Sequence, residues 1–264
     1  MLKLSEIFIY PIKSLGGISV NSSNVEPRGL KYDRRFLLVD ENNVFMTQRD
    51  FAEMALLKLS FDKNGFKVLN TKDGSYIILP FKSDSKEIIS VTIWDDFCNA
   101  VRVNQELDNW FSTVINKKCS LVYMPDDEKR IVEKKYINED HIVSFADAYP
   151  FLIIGQSSLD DLNSRLETPL PMNRFRPNFV FAGGKPYEED NWKDFKIGNV
   201  KFKAVKPCAR CLITTTNQET AERTNEPLKT LSEYRKVDNK VLFGMNVICK
   251  SFGKISVSDK IEFV

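Results

Sequence analysis

The sequence predicts a mainly β chain with several helices, an α+β protein whose strands close into barrel-like units. Three observations carry that expectation. Short apolar runs recur through the first hundred residues, separated by turns such as Asp40-Glu41-Asn42-Asn43 and Asp73-Gly74. One stretch in the first half, residues 104–118, spaces its apolar residues as an amphipathic helix does. At 264 residues the chain is long enough for one large core or two smaller ones.

Leu4, Ile7, Ile9 and Tyr10 form the first strand, which stops at Pro11. Ile12-Lys13-Ser14-Leu15-Gly16-Gly17 is a turn-rich loop bearing a cation and a hydroxyl. Ile18 and Val20 resume an extended pattern that Asn21-Ser22-Ser23-Asn24 breaks. Asp33-Arg34-Arg35 leads into Phe36-Leu37-Leu38-Val39, and residues 44–49 form the second arm of a hairpin. Further strands are expected around 66–68, 76–79, 88–91 and 100–103. The helix places Leu107, Trp110, Phe111, Val114 and Ile115 on one face, with Asn104 as N-cap, Glu106 in the first turn and Lys117-Lys118 at its end. A strand over 120–123 precedes the polar run Pro125-Asp126-Asp127-Glu128-Lys129-Arg130, where we expect domain 1–122 to give way to domain 123–264.

The second half opens with Ser144-Phe145-Ala146-Asp147-Ala148-Tyr149-Pro150 and a strand, Phe151-Leu152-Ile153-Ile154, ending at Gly155. Ser157 caps a helix with Asp160 in its first turn and Leu159, Leu162 and Leu166 on one face. Asn173-Arg174-Phe175-Arg176-Pro177-Asn178 leads into a strand over 179–181 that Gly183-Gly184 ends. Residues 199–206 alternate as a strand running straight into Pro207-Cys208-Ala209-Arg210-Cys211, and the β-branched run after it, Leu212-Ile213-Thr214-Thr215-Thr216, also reads as strand. A short helix over 228–236 and strands near 247–249, 255–257 and 261–264 close the chain.

Several function classes are excluded. Net charge is +2 with both signs interspersed, so no basic stripe points to nucleic acid. No apolar run approaches the roughly 18 residues of a membrane span. The N-terminus lacks the apolar core of a signal peptide, and the cysteine count is odd, which together imply reduced thiols and a cytoplasmic setting. With His141 as the single histidine, a His-rich zinc site is excluded and a Ser-His-Asp triad would have to use it.

Cys208-x-x-Cys211 holds two of the five cysteines and admits four readings. Half a zinc ribbon lacks a second CxxC. A thioredoxin-like redox pair should open a helix, which the strand-like run after Cys211 does not. Two core-facing thiols with an arginine paired to a carboxylate is the plainest account. The fourth is one thiolate ligand to a metal whose other ligands come from an organic cofactor. That last reading needs an anion-binding surface, for which Lys13-Ser14, Arg34 and Arg176 with Asn178 are the candidates. Each of those cations taken alone reads more readily as a solvated surface charge, and Asp147 as a turn former.

In combination these motifs resemble the MOSC family, the domain at the C-terminus of molybdenum cofactor sulfurases. Asn173-x-Phe175-Arg176-Pro177-Asn178 and Pro207-Cys208-x-Arg210-Cys211 are similar to its MOSC β-barrel domain. Tyr10-Pro11-Ile12-Lys13-Ser14, Tyr32-Asp33-Arg34-Arg35-Phe36 and Thr47-Gln48-Arg49 are similar to its N-terminal β-barrel domain. The order of the two is similar to that in the mitochondrial amidoxime-reducing component and its bacterial relatives. The resemblance implies a molybdenum cofactor (molybdopterin carrying Mo) with Cys211 as metal ligand and Asp147 as the second catalytic residue. Ala209 and Arg210 would line it, Lys13, Ser14 and Arg34 match its phosphate and pterin positions, Ala148 and Tyr149 share the Asp147 loop, and Arg176 with Asn178 supply second-half contacts. Pyridoxal phosphate binding is a further association of this family. The implied activity is reduction of small N-hydroxylated substrates, with electrons from a separate ferredoxin-, flavodoxin- or cytochrome-type protein, since no cysteine cluster for an iron–sulfur domain follows. A cofactor carrier or sulfur-transfer module is the alternative. Ala148-Tyr149 and Asn217 depart from the family pattern, where a hydroxyl pair and an aspartate are usual.

Overall fold

The computed structural model describes residues 1–137 and 139–264. Its organising element is a nine-stranded sheet in the order Ile18–Val20, Lys3–Ile9, Phe179–Ala182, Phe151–Gly155, Lys240–Cys249, Val200–Ala209, Asp194–Ile197 and Ile261–Phe263, with Lys236–Val237 also beside Lys240–Cys249. Fully buried rings hold it together. Phe151 stacks on Phe179 at 5.3 Å, and Phe202 meets Phe179 at 5.5 Å and Phe195 at 5.6 Å. Burying each such ring contributes about 1.5–3 kcal/mol.

A four-stranded sheet (Phe36–Val39, Ser120–Tyr123, Asp96–Arg102, Ile88–Ile93) and a three-stranded meander (Leu57–Asp62, Gly65–Asn70, Tyr76–Pro80) complete the first half. Helix α1, Gln105–Ile115, forms as its sequence requires. The Asn104 carboxamide accepts from Leu107 N at 2.9 Å, Leu107, Phe111 and Ile115 are buried, and left-handed Asn116 ends it. Helix α2, Gln156–Asn163, is the crossover between Phe151–Gly155 and Phe179–Ala182, the parallel pair in the sheet. Helix α3 spans Leu228–Tyr234. No helix among the described residues is long and apolar enough to cross a membrane.

Strands from before residue 27 join the second half directly. Lys3–Ile9 pairs with Phe179–Ala182, and Ser22–Glu26 pairs with Gly253–Ser256. The expected break at residues 21–24 is thus largely strand, because a partner from the far end of the chain supplies the ladder that local propensity does not. The polar run after Tyr123 is clamped to the first half, with Arg28 donating to the carbonyls of Pro125, Asp126 and Glu128.

Two further expectations change. The hairpin arm over 44–49 stops after Phe45, whose bridge to Val39 is its one antiparallel pairing. Thr47 is the cause: its hydroxyl accepts from Arg49 N at 3.0 Å, and its carbonyl accepts from Asp50 N and Phe51 N, so the backbone turns. Ser157 is not the cap of α2. The cap position is Gly155, and the Ser157 hydroxyl donates to Gly184 O at 2.8 Å.

Candidate functional site

The loop after Tyr10 is stapled to the strand Phe36–Val39. Arg34 N donates to Tyr10 O at 2.7 Å, Phe36 N to Pro11 O at 3.0 Å and Lys13 N to Phe36 O at 2.9 Å. Buried Asp33 accepts from Tyr10 N at 2.8 Å and from Arg34 Nη1 at 2.6 Å. This fixes Arg34 over the Tyr10 ring at 4.5 Å, and Arg176 lies 4.3 Å from the same ring. Left-handed backbone at Ser14, Arg34 and Arg176 turns these residues together. Asn178 works as a tie: its Oδ1 accepts from Arg34 Nη1 and Leu152 N, and its Nδ2 donates to Phe8 O.

Asp147 stands opposite. Arg130 holds its loop from behind, donating to the carbonyls of Ser144, Ala146 and Asp147 while pairing with Asp96. Lys13 Nζ meets Asp147 Oδ1 at 2.5 Å. Burial pushes Lys13 down to about 8, against the pull of Asp147. Desolvation works against the Asp147 carboxylate, but the Lys13 charge and hydrogen bond, Arg49 and the Trp94 indole hold it well below the usual range. Tyr149 is buried, with its hydroxyl towards Glu133 O.

The cysteine stretch enters on the long strand Val200–Ala209. Between Pro207, opposite Met245, and Ala209, opposite Leu242, the partner strand holds one extra residue. Such a bulge bends a strand and re-aims its side chains. Gly244 allows it with φ +80, where a Cβ would sit 2.6 Å from Ile154 Cγ1. Arg210 then reaches Cys208 Sγ at 3.1 Å and Phe175 O at 2.6 Å. Past Cys211 the chain is not the expected strand but a 3-10 turn, Leu212–Thr215. The hydroxyls of Thr214 and Thr215 donate back to the carbonyls of Cys211 and Leu212, and buried Arg174 takes the carbonyls of Thr214 and Thr215. The β-branched run thereby spends its polar groups locally. Four residues of 3-10 turn are not the helix that a redox CxxC opens.

The residues that the resemblance assigns to catalysis or cofactor binding line one cleft, namely Lys13, Ser14, Arg34, Asp147, Ala148, Tyr149, Arg176, Asn178, Ala209, Arg210 and Cys211, whereas Asn217 lies outside it. Sequence reasoning gave no role to Arg49, whose Nη2 donates to Cys211 Sγ at 3.2 Å. The motif Thr47-Gln48-Arg49 was visible, but reading it as strand hid the turn that aims the arginine inward. Thr47 and Asn246 line the cleft as well. Five cations and one carboxylate face the space, and Nη2 of Arg176 and Nε of Arg210 are buried without a partner among the described residues. Burial pushes Arg176 down to about 10. Such a surface binds an anion. Among the described residues no three His, Cys, Asp or Glu side chains gather as a metal site. His141 lies outside the cleft and pairs with Glu139.

A β-rich chain with a cationic cleft built from both halves around one accessible thiol pair defines its class, and comparison with known sequences agrees. The chain belongs to the MOSC family: the MOSC N-terminal beta barrel domain matches residues 1–118 and the MOSC domain residues 140–262. It is 30% identical over 279 residues to mitochondrial amidoxime reducing component 2 of Rattus norvegicus, covering 98% of this chain and 82% of that protein. To mitochondrial amidoxime-reducing component 1 of Mus musculus it is 30% identical, covering 98% and 81%. To molybdenum cofactor sulfurase of Arabidopsis thaliana it is 31% identical over 264 residues, covering 91% of this chain but 32% of the sulfurase.

Proposed function

We propose that the chain is a molybdenum-cofactor-dependent oxidoreductase that reduces N-hydroxylated compounds such as amidoximes, hydroxylamines and N-hydroxylated bases. One observation carries the reading: five cations, two of them with buried nitrogens that have no partner among the described residues, surround a cleft that also presents the Cys211 thiol. That donor set fits an anionic cofactor bringing most of a metal's ligands with it. Lys13, Ser14, Arg34 and Arg176 would hold its phosphate and pterin, Ala209 and Arg210 would flank it, and Cys211 would ligate the metal. When bound, the cofactor supplies two-electron redox chemistry at the metal.

The reduction breaks the N–O bond of an amidoxime, takes up two electrons and two protons, and leaves an amidine and water. The electrons come from a separate redox protein. Asp147 carries no proton at neutral pH, so its carboxylate accepts a hydrogen bond from the substrate. Lys13, held at about 8 and touching Asp147, is the proton reservoir of the pair. Arg49 keeps the Cys211 sulfur in an electropositive setting. We assign the reaction to the cytoplasm, in keeping with five unpaired cysteines.

The test is molybdenum content and benzamidoxime reduction, measured together on wild type and Cys211→Ala. About one molybdenum per chain is expected of wild type, as one thiolate ligand implies. Cys211→Ala should lose reduction, and full turnover in that variant would sink the mechanism. Cys208, touched by Arg210 in the same cleft, favours one second reading, a cofactor carrier or sulfur-handling module with two thiols. Cofactor binding without reduction of any N-hydroxylated compound would select it.

A further inference from the structure

The turn between Ile88–Ile93 and Asp96–Arg102 sets Trp94 against two residues of the cleft, Arg49 and Asp147. Its backbone is left-handed, φ 55, which a bulky side chain rarely adopts. The ring lies 4.2 Å from the Arg49 guanidinium and 4.8 Å from the Phe45 ring, and its indole N–H donates to Asp147 Oδ1 at 3.2 Å. Asp96, two residues on, pairs at 2.7 Å with Arg130, whose Nη1 and Nη2 also donate to the carbonyls of Ala146 and Asp147. One turn of the first half is therefore fastened both to Asp147 and to the arginine beside Cys211.

Trp94 remains 44% exposed despite these ties. Leu212, next to Cys211, is 45% exposed, and Val44, next to Phe45, is 37% exposed. Apolar surface thus flanks a cleft that presents five cations and one carboxylate. A substrate that fits both carries a polar reacting head and an apolar body. An indole already held in place offers a flat face to such a body at little cost in conformational freedom.

We propose that Trp94 is the specificity-determining residue of this cleft, receiving a planar aromatic or conjugated group of the substrate on its open face while the polar head reaches Asp147. The identity of that head rests on the reductase reading; the stacking does not. The test compares wild type, Trp94→Phe and Trp94→Ala holoprotein in two measurements. One is calorimetric binding of benzamidoxime, and the other is the kcat/KM preference for benzamidoxime over acetamidoxime.

Trp94→Ala should weaken benzamidoxime binding about tenfold and lower the aromatic preference by a similar factor, chiefly through KM. Trp94→Phe should recover most of both, although it lacks the N–H to Asp147. A residue that merely props the Asp147 loop would not be rescued by Phe. Equal losses for the two substrates, or a Phe variant no better than Ala, would overturn the proposal. Should Trp94→Ala not fold, Trp94→Leu keeps apolar bulk without an aromatic face and gives the same comparison. Binding with this Trp94 dependence but without turnover supports the proposal and defeats only the reductase reading. Failure of wild type to bind benzamidoxime overturns it.

Discussion

Lys13 is the residue through which pH acts on the cleft. Burial sets it near 8, so it loses its charge as pH passes from 7 to 9. The affinity of cofactor-free protein for inorganic sulfate, which does not titrate in this range, should fall across that interval, and Lys13→Met should both weaken binding at pH 7 about tenfold and remove most of the pH dependence. Calorimetric titration at the two pH values checks this. Stability moves the other way. The folded value lies below the ordinary 10.5, so the unfolded chain binds more protons between about 8 and 10.5 and this group's cost to folding is relieved as pH rises through that window. The thiols divide just as clearly. Cys98, Cys119 and Cys249 are at most 5% exposed and burial pushes each up to about 11, whereas Cys208 and Cys211 line the cleft. Native cofactor-free protein should take up iodoacetamide at two cysteines and denatured protein at five, read by mass spectrometry. A lone tryptophan in a β-turn carries no sequence signal of function, which is why Trp94 was invisible before its contacts with Arg49 and Asp147.

At the scale of elements, stability and site geometry can be probed separately. Asn104→Ala removes the cap of α1 and should cost about 1 kcal/mol in urea unfolding, with little effect on the cleft. Gly244→Ala acts at the bulge that aims Cys208 and Arg210. Its left-handed φ and the approach of Ile154 Cγ1 should cost about 2 kcal/mol and also alter the alkylation rate of Cys208. Elements with a strong period were legible: α1, the strand Phe151–Gly155 and the strand entering the cysteine stretch all lie where their patterns put them. What failed was the backbone around hydroxyl residues. Thr47, Thr214 and Thr215 each bond to backbone two or three residues away, and Ser157 bonds instead to the distant Gly184 carbonyl; these bonds outweigh the propensities that a pattern reads.

The whole molecule is interlaced. Lys13, Arg34 and Arg49 face Asp147, Arg176, Arg210 and Cys211 across one cleft, while strands from the N-terminus complete the sheets of the second half. Residues 123–264 alone would leave Phe179–Ala182 and Gly253–Ser256 with open edges and should give no near-ultraviolet circular dichroism, whereas the full chain should unfold in a single transition. A folded, monomeric 123–264 fragment would contradict this. The cleft residues were legible because their motifs are local, but the interlacing was not, since pairing between distant segments leaves no periodic trace. It also sets a timetable for biosynthesis. Val25 waits for Gly253, and Lys3 for Lys260, so the N-terminal strands leave the ribosome long before their partners are translated. The open edge of Lys3–Ile9 waits for Phe179–Ala182, and the cleft is complete only once residues 208–214 and Asn246 have joined it.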